Sequence, residues 1–138
     1  MNSSTNLFYL ILPFLTWLIT GGTKFFINSL KHKKLSFDLI GYGGFPSNHS
    51  AILSSMTFFI YLNEGLSPVF GAMIAVSFLF ILDATDLRVK VGKMARSINQ
   101  LSDNKTSHRE RIGHSYVEVL GGVILGVLIA YMVWFMLA

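Results

Sequence analysis

Two histidines carry the chemistry that this chain offers. His49 lies in the stretch Gly43-Gly44-Phe45-Pro46-Ser47-Asn48-His49-Ser50, just before an apolar segment that opens with Ala51-Ile52-Leu53. The glycines allow positive φ and close approach of backbone to a ligand. Pro46 disfavours helix at Phe45, and Ser47 or Asn48 can cap a helix that starts here. A helix start offers free N–H groups and the positive end of the helix dipole, which together attract anions. His49 adds a ring that titrates near neutral pH. The second histidine, His114, precedes Glu118 by four residues, so on a helix the two share a face. A carboxylate on one ring nitrogen leaves the other free as nucleophile or base. With Lys24 and Arg88 as cations and no cysteine in the chain, the set fits phosphoryl transfer through a histidine. One ring attacks phosphorus, the other protonates the leaving oxygen, and the cations hold the equatorial oxygens. Taken singly, each motif also has a plainer reading: a loop-to-helix junction with an incidental histidine, and an i,i+4 polar pair at a helix start.

The elements that must position these groups are apolar. The 138 residues are 52% hydrophobic, 14% aromatic and only 13% charged, and several apolar runs approach bilayer length. The expected fold is a single all-α integral membrane domain over 1–138. It is a bundle of about four membrane helices, near 7–26, 49–62, 68–82 and 113–137, joined by polar loops at 27–48 and 83–112. One amphipathic helix is expected near Val89 to Leu101, and a short interfacial one around Leu35 to Ile40. Pro13 can kink the first helix, which membrane helices tolerate. Gly121, Gly122 and Gly126 allow close helix packing and would suit a homodimer. Met1-Asn2-Ser3-Ser4-Thr5-Asn6 lacks the positive region and cleavage site of a signal peptide, so the first run is expected to stay as an anchor. Tyr9, Trp17 and Tyr131 are candidate interfacial anchors. The remaining aromatics and methionines, such as Phe58, Phe59, Phe78, Phe80, Met132, Trp134 and Phe135, read as lipid-facing or core packing.

The eleven Lys and Arg fall in two segments, four in 24–34 and seven in 88–111. The positive-inside rule then places both basic loops in the cytoplasm and both termini outside. This topology brings Lys24 at the end of the first helix, His49 at the start of the second, Asp83 at the end of the third and His114 at the start of the fourth to one face. Ionisable groups at that depth are costly and read as functional. The formal charge of +4 fits anionic headgroups and a phosphate-bearing substrate rather than nucleic acid.

These residues resemble those of the type 2 phosphatidic acid phosphatase superfamily, which includes vanadium haloperoxidases. Pro46-Ser47-Asn48-His49 is similar to its Pro-Ser-Gly-His motif, and His114-x3-Glu118 is similar to the end of its third motif, a histidine with aspartate four residues on. The resemblance is closer to the superfamily's small divergent membrane branch and covers most of the chain. It takes in Lys24, 43–51, Asp83-Ala84-Thr85-Asp86-Leu87-Arg88, Gly92, Asn99, Gly113-His114 and Glu118-Val119-Leu120. The resemblance implies a metal-independent membrane phosphatase without a cofactor. His114 would be the nucleophile, Glu118 its orienter and His49 the acid. Lys24 would hold phosphate, and Ser47 and Asn48 would supply N–H groups. The chain departs from the superfamily in three places. Lys31-His32 stands where the first motif has Arg-Pro, His108 stands where the third has arginine, and Asn48 replaces a glycine. Arg109, Arg111 or Arg88 can substitute for the missing arginine, and the divergent branch favours Arg88.

The expected substrate is a phospholipid or polyprenyl phosphate, met at the cytoplasmic face of the cell (inner) membrane. Two other readings stand beside it. A chain with altered motifs can bind anionic lipid heads without turnover. Asp83 and Asp86, three apart at a helix end, can bind Mg²⁺ and serve a phospholipid-headgroup transferase; otherwise Asp83 supports the site by pairing with Arg88 or Lys24. His32 and His108, in basic loops, read as solvated.

Overall fold

A computed structural model describes residues 3–33, 44–102 and 107–137. Among these the chain is helical, with α1 at Ser3–His32, α2 at Asn48–Glu64, α3 at Pro68–Leu82, α4 at Arg88–Leu101 and α5 at Tyr116–Leu137. The short interfacial helix expected around 35–40 lies outside the described residues. Among the described residues three stretches are long and apolar enough to cross a membrane: Thr5–Lys31, Pro68–Leu101 and Tyr116–Leu137. The 17-residue α2 packs in the middle, against α5 above all and then against α1 and α3. The chain is an all-α membrane bundle.

Two element boundaries differ from expectation. Helix α1 runs past 26 to His32, because Ile27 and Leu30 continue its apolar face. The amphipathic helix expected near 89–101 is present as α4, but it does not stand apart from the third helix. Asp83–Leu87 is a single π turn that joins α3 to α4 without a break. Nothing polar in 83–87 stops the helix, since Asp83 and Asp86 both find cations on α4 (Arg88 and Lys90).

The core is formed by Leu12 of α1, Phe59 of α2 and Ile129, Ala130 and Val133 of α5. It lies at the end of the bundle away from the histidines. There Tyr9 donates its hydroxyl to Glu64 and stacks edge-on against Phe59. Trp17 is exposed, near the middle of α1.

Hydrophobic burial gives little drive between helices in lipid, so small residues and interhelical hydrogen bonds set the contacts. Thr16 donates to Ser55 at 3.0 Å, Thr57 and Ser77 share a bond of 3.0 Å, and Ser54 donates to the Val123 carbonyl at 3.2 Å. The most extensive helix contact is between α2 and α5. A Cβ on Gly122 would collide with the Ser47 carbonyl, and one on Gly126 with the Ala51 carbonyl. Gly121 likewise lies under the Phe45 ring. The glycine face expected to suit a homodimer is therefore filled from within the chain.

This contact is testable. Gly126→Val should lower the thermal midpoint of the detergent-purified protein, at a cost of about 1–3 kcal/mol or more, because the blocking atoms are backbone. Gly71→Ala, where nothing lies within 4 Å of the added carbon, should hold or raise the midpoint.

Candidate active site

The loop before α2 and the turn before α5 meet at one end of the bundle. Ser47 caps α2 by accepting from the Ser50 amide at 3.4 Å, and it is fully buried. Its own amide donates to the Glu118 carbonyl at 2.9 Å. This alters one expectation: the Ser47 N–H is not free for a ligand. Ser47 fixes the start of α2 against α5, and the amides of Asn48 and His49 have no partner among the described residues. The buried Oδ1 of Asn48 also lacks a partner there.

His114 lies two residues before α5, in a turn whose amide donates to the Ala84 carbonyl in the π turn at 3.0 Å. Gly113 permits that approach, since a Cβ there would strike Val89. Upstream, Asn99 of α4 clamps the return segment. Its Nδ2 donates to the His108 carbonyl at 2.8 Å and to Glu110 at 3.0 Å, and its Oδ1 accepts from the His108 amide at 2.9 Å. Gly92 lets the Glu110 backbone pass close to α4.

Glu118 gathers this turn. Oε2 faces His114 Nδ1 at 3.2 Å and accepts from the Ser115 amide at 3.0 Å, while Oε1 accepts from Arg111 at 2.9 Å. The Glu118 amide donates to the Ser115 hydroxyl at 3.3 Å. Ser115 and Glu118 thus form a reciprocal capping box. Sequence reasoning missed it by starting the helix at 113, although Ser-x-x-Glu is its written signature. It also missed that Arg111 binds Glu118.

The two imidazoles face each other with centroids 6.0 Å apart and planes at 61°. With Nδ1 on Glu118, His114 Nε2 is the ring nitrogen left for other work. Lys24 is 9% exposed on α1, and its charge, with that of Arg88, acts on both rings. Arg88 also pairs with Asp83. The structure therefore brings together His49, His114, Glu118, Lys24, Arg88, Asp83, Ser47 and Asn48. It does not join Asp83 and Asp86 into one site, since Asp86 pairs outward with Lys90 at 2.8 Å. No group of three or more His, Asp or Glu with metal-site spacing occurs among the described residues.

A family model described as the divergent PAP2 family matches residues 5–129. The chain belongs to this family. It is also 27% identical, over 124 residues covering 75% of this chain and 78% of the relative, to the "Uncharacterized membrane protein YuiD" of Bacillus subtilis (strain 168). No solved structure matches. In this divergent PAP2 protein the second-motif loop and the third-motif turn are bonded directly to each other, through the Ser47 amide and the Glu118 carbonyl.

Burial pushes the His114 ring below its ordinary value of 6.5; Glu118 opposes this, and Lys24 and Arg88 add to it. Between the two values the unfolded chain binds more protons than the folded one. This residue's share of stability is thus present above 6.5 and lost as pH falls toward the folded value. In ring-labelled protein in micelles, the His114 signal should titrate below 6.5. Glu118→Gln should move it lower still, because the charge favouring imidazolium is gone.

Proposed function

We propose that this protein is a membrane phosphatase that hydrolyses a lipid phosphate monoester through a phosphohistidine. The observation that carries the reading is the facing pair of imidazoles, one of them oriented by Glu118, beside Lys24 and Arg88. His114 Nε2 attacks phosphorus and forms an N–P bond. The bond from phosphorus to the lipid oxygen breaks, and His49 gives its proton to that leaving oxygen. His49 then takes a proton from water, whose oxygen attacks phosphorus. The N–P bond breaks and inorganic phosphate leaves.

Lys24 and Arg88 would neutralise charge on the phosphoryl oxygens, and the Asn48 and His49 amides at the start of α2 would donate to them. Asp83 would hold Arg88 in place. No step calls for a metal or cofactor. The site would face the cytoplasm at the cell (inner) membrane, with both termini on the far side, following the two basic segments. Phosphatidic acid, phosphatidylglycerol phosphate and polyprenyl phosphates all present the required group.

The test is phosphate release from a panel of lipid phosphates by detergent-purified protein in EDTA. His114→Ala should abolish release from every substrate, and the phosphoryl group trapped by acid-free quenching should sit on His114. His49→Ala should cost ~10²–10⁴-fold with a lipid alcohol as leaving group and far less with an activated aryl phosphate. Vanadate should inhibit the wild type and bind more weakly to His114→Ala. Equal losses for both leaving groups in His49→Ala, or a phosphoryl group on another residue, would overturn the assignment. Lipid-head binding that survives in His114→Ala, with no turnover by the wild type, would favour the non-catalytic reading instead.

A further inference from the structure

A groove of about 410 Å³ runs down the bundle between α2, α3 and α5, from Ser50 to Tyr61. We propose that it seats one hydrocarbon chain of the lipid whose phosphate lies between His49 and His114. The inference rests on the phosphatase reading for the position of the phosphate, and on the groove for the rest.

The groove begins where the candidate site ends. Ser50 lines it and also bonds Ser47, the cap of the helix that carries His49. Four of its lining residues are small and ordinarily polar: Ser50, Ser54, Thr57 and Ser77. Each hydroxyl is turned into the protein. Ser50 donates to Ser47, Ser54 to the Ala51 and Val123 carbonyls, and Thr57 to the Leu53 carbonyl while sharing a bond with Ser77. What remains facing the groove is carbon, in a depth made by the small size of these four side chains.

Dimensions decide the occupant. Eleven residues of helix from Ser50 to Tyr61 span about 16 Å at about 1.5 Å per residue, close to one leaflet of a hydrocarbon core about 30 Å thick. Spread over that length, the cavity has a mean section of about 25 Å², a fraction of the roughly 80 Å² of a helix about 10 Å across. A second copy's helix is too wide to enter. A section of that size suits one extended chain, and the second chain of a two-chain lipid would lie in the bilayer. Groove and bilayer are both apolar, so seating a chain adds little affinity. Its effect is register, holding the phosphorus level with the two rings.

The test uses the full-length protein in detergent micelles with two single-chain substrates, octyl phosphate and hexadecyl phosphate. Ser77→Phe would block the groove about 10 Å below Ser50, since Ser77 meets Thr57 seven residues into it. The hexadecyl-to-octyl ratio of kcat/KM should fall about tenfold. Val127→Trp, filling the groove from α5, should do the same if Ser77→Phe does not fold. Ala75→Phe, exposed on α3 and outside the groove, should leave the ratio unchanged. An unchanged ratio in both groove variants overturns the proposal.

A second arm needs no turnover. Hexadecyl phosphate with a photoreactive diazirine at its chain end should label the residues around Tyr61 and Phe70, and unlabelled hexadecyl phosphate should compete. Equal labelling of the outward face of α1, at Leu10 and Phe14, overturns the groove. Labelling at Tyr61 and Phe70 with no phosphate release from any substrate would leave the groove standing and sink the phosphatase reading.

Discussion

A carboxylate at the edge of a bilayer is tolerable only when its oxygens are filled. Glu118 is 7% exposed, and the candidate site is arranged around meeting that requirement. One oxygen takes the Ser115 amide and faces the His114 ring, and the other takes Arg111. The same side chain therefore caps α5, orients an imidazole and anchors the segment that returns from α4. Its backbone carbonyl takes the Ser47 amide, so the start of α2 is registered against the same residue. Two motifs sixty-odd residues apart meet because one residue satisfies both of them.

Such registration needs α2 and α5 to lie very close, and hydrogen bonds alone would not bring them there. Interhelical side-chain bonds in membrane bundles average about 0.6 kcal/mol, so the few hydroxyl bonds between these helices are a small contribution. Gly122 and Gly126 supply the rest by admitting the α2 carbonyls to the surface of α5. α3 has no comparable contact and buries none of its residues. It is joined to α2 by a short turn and by the Thr57–Ser77 bond. The tight pair positions the histidines, and the loosely seated third helix leaves the groove open beside them.

Much of this was legible in the chain. Alternation of apolar runs with basic segments puts Lys24, His49, Asp83 and His114 at one end of the bundle, although Lys24 lies inside α1 and Asp83 in a turn that runs on into α4. The expectations that needed revision share a cause, which is that they depend on who bonds to whom. The Ser47 amide looks free at a helix start until the Glu118 carbonyl takes it. The α5 glycines look like an outer face until α2 covers them. The Ser115–Glu118 box was readable, since Ser-x-x-Glu stands just before the apolar run. The partnership of Arg111 with Glu118 depends on Asn99 holding 108–110, a long-range clamp that local spacing does not reveal.

The π turn is the instructive case. In an α-helix the neighbours of Asp83 along its own face are Asp86 and Leu87, three and four residues on. That spacing is why the two aspartates look like a pair. Through Asp83–Leu87 the backbone bonds i to i+5, and the Arg88 amide reaches the Asp83 carbonyl. Arg88 is thereby stacked over Asp83 and pairs with it, while Asp86 is rotated outward to Lys90. The same break in register brings the Ala84 carbonyl to the His114 amide. Single π turns inside α-helices recur at functional sites, and the reason here is geometric. The wider turn sets the Arg88 charge near both histidines and gives the His114 turn a backbone acceptor. The irregular turn thus joins Arg88 to Asp83 by side chain and Ala84 to His114 by backbone within five residues.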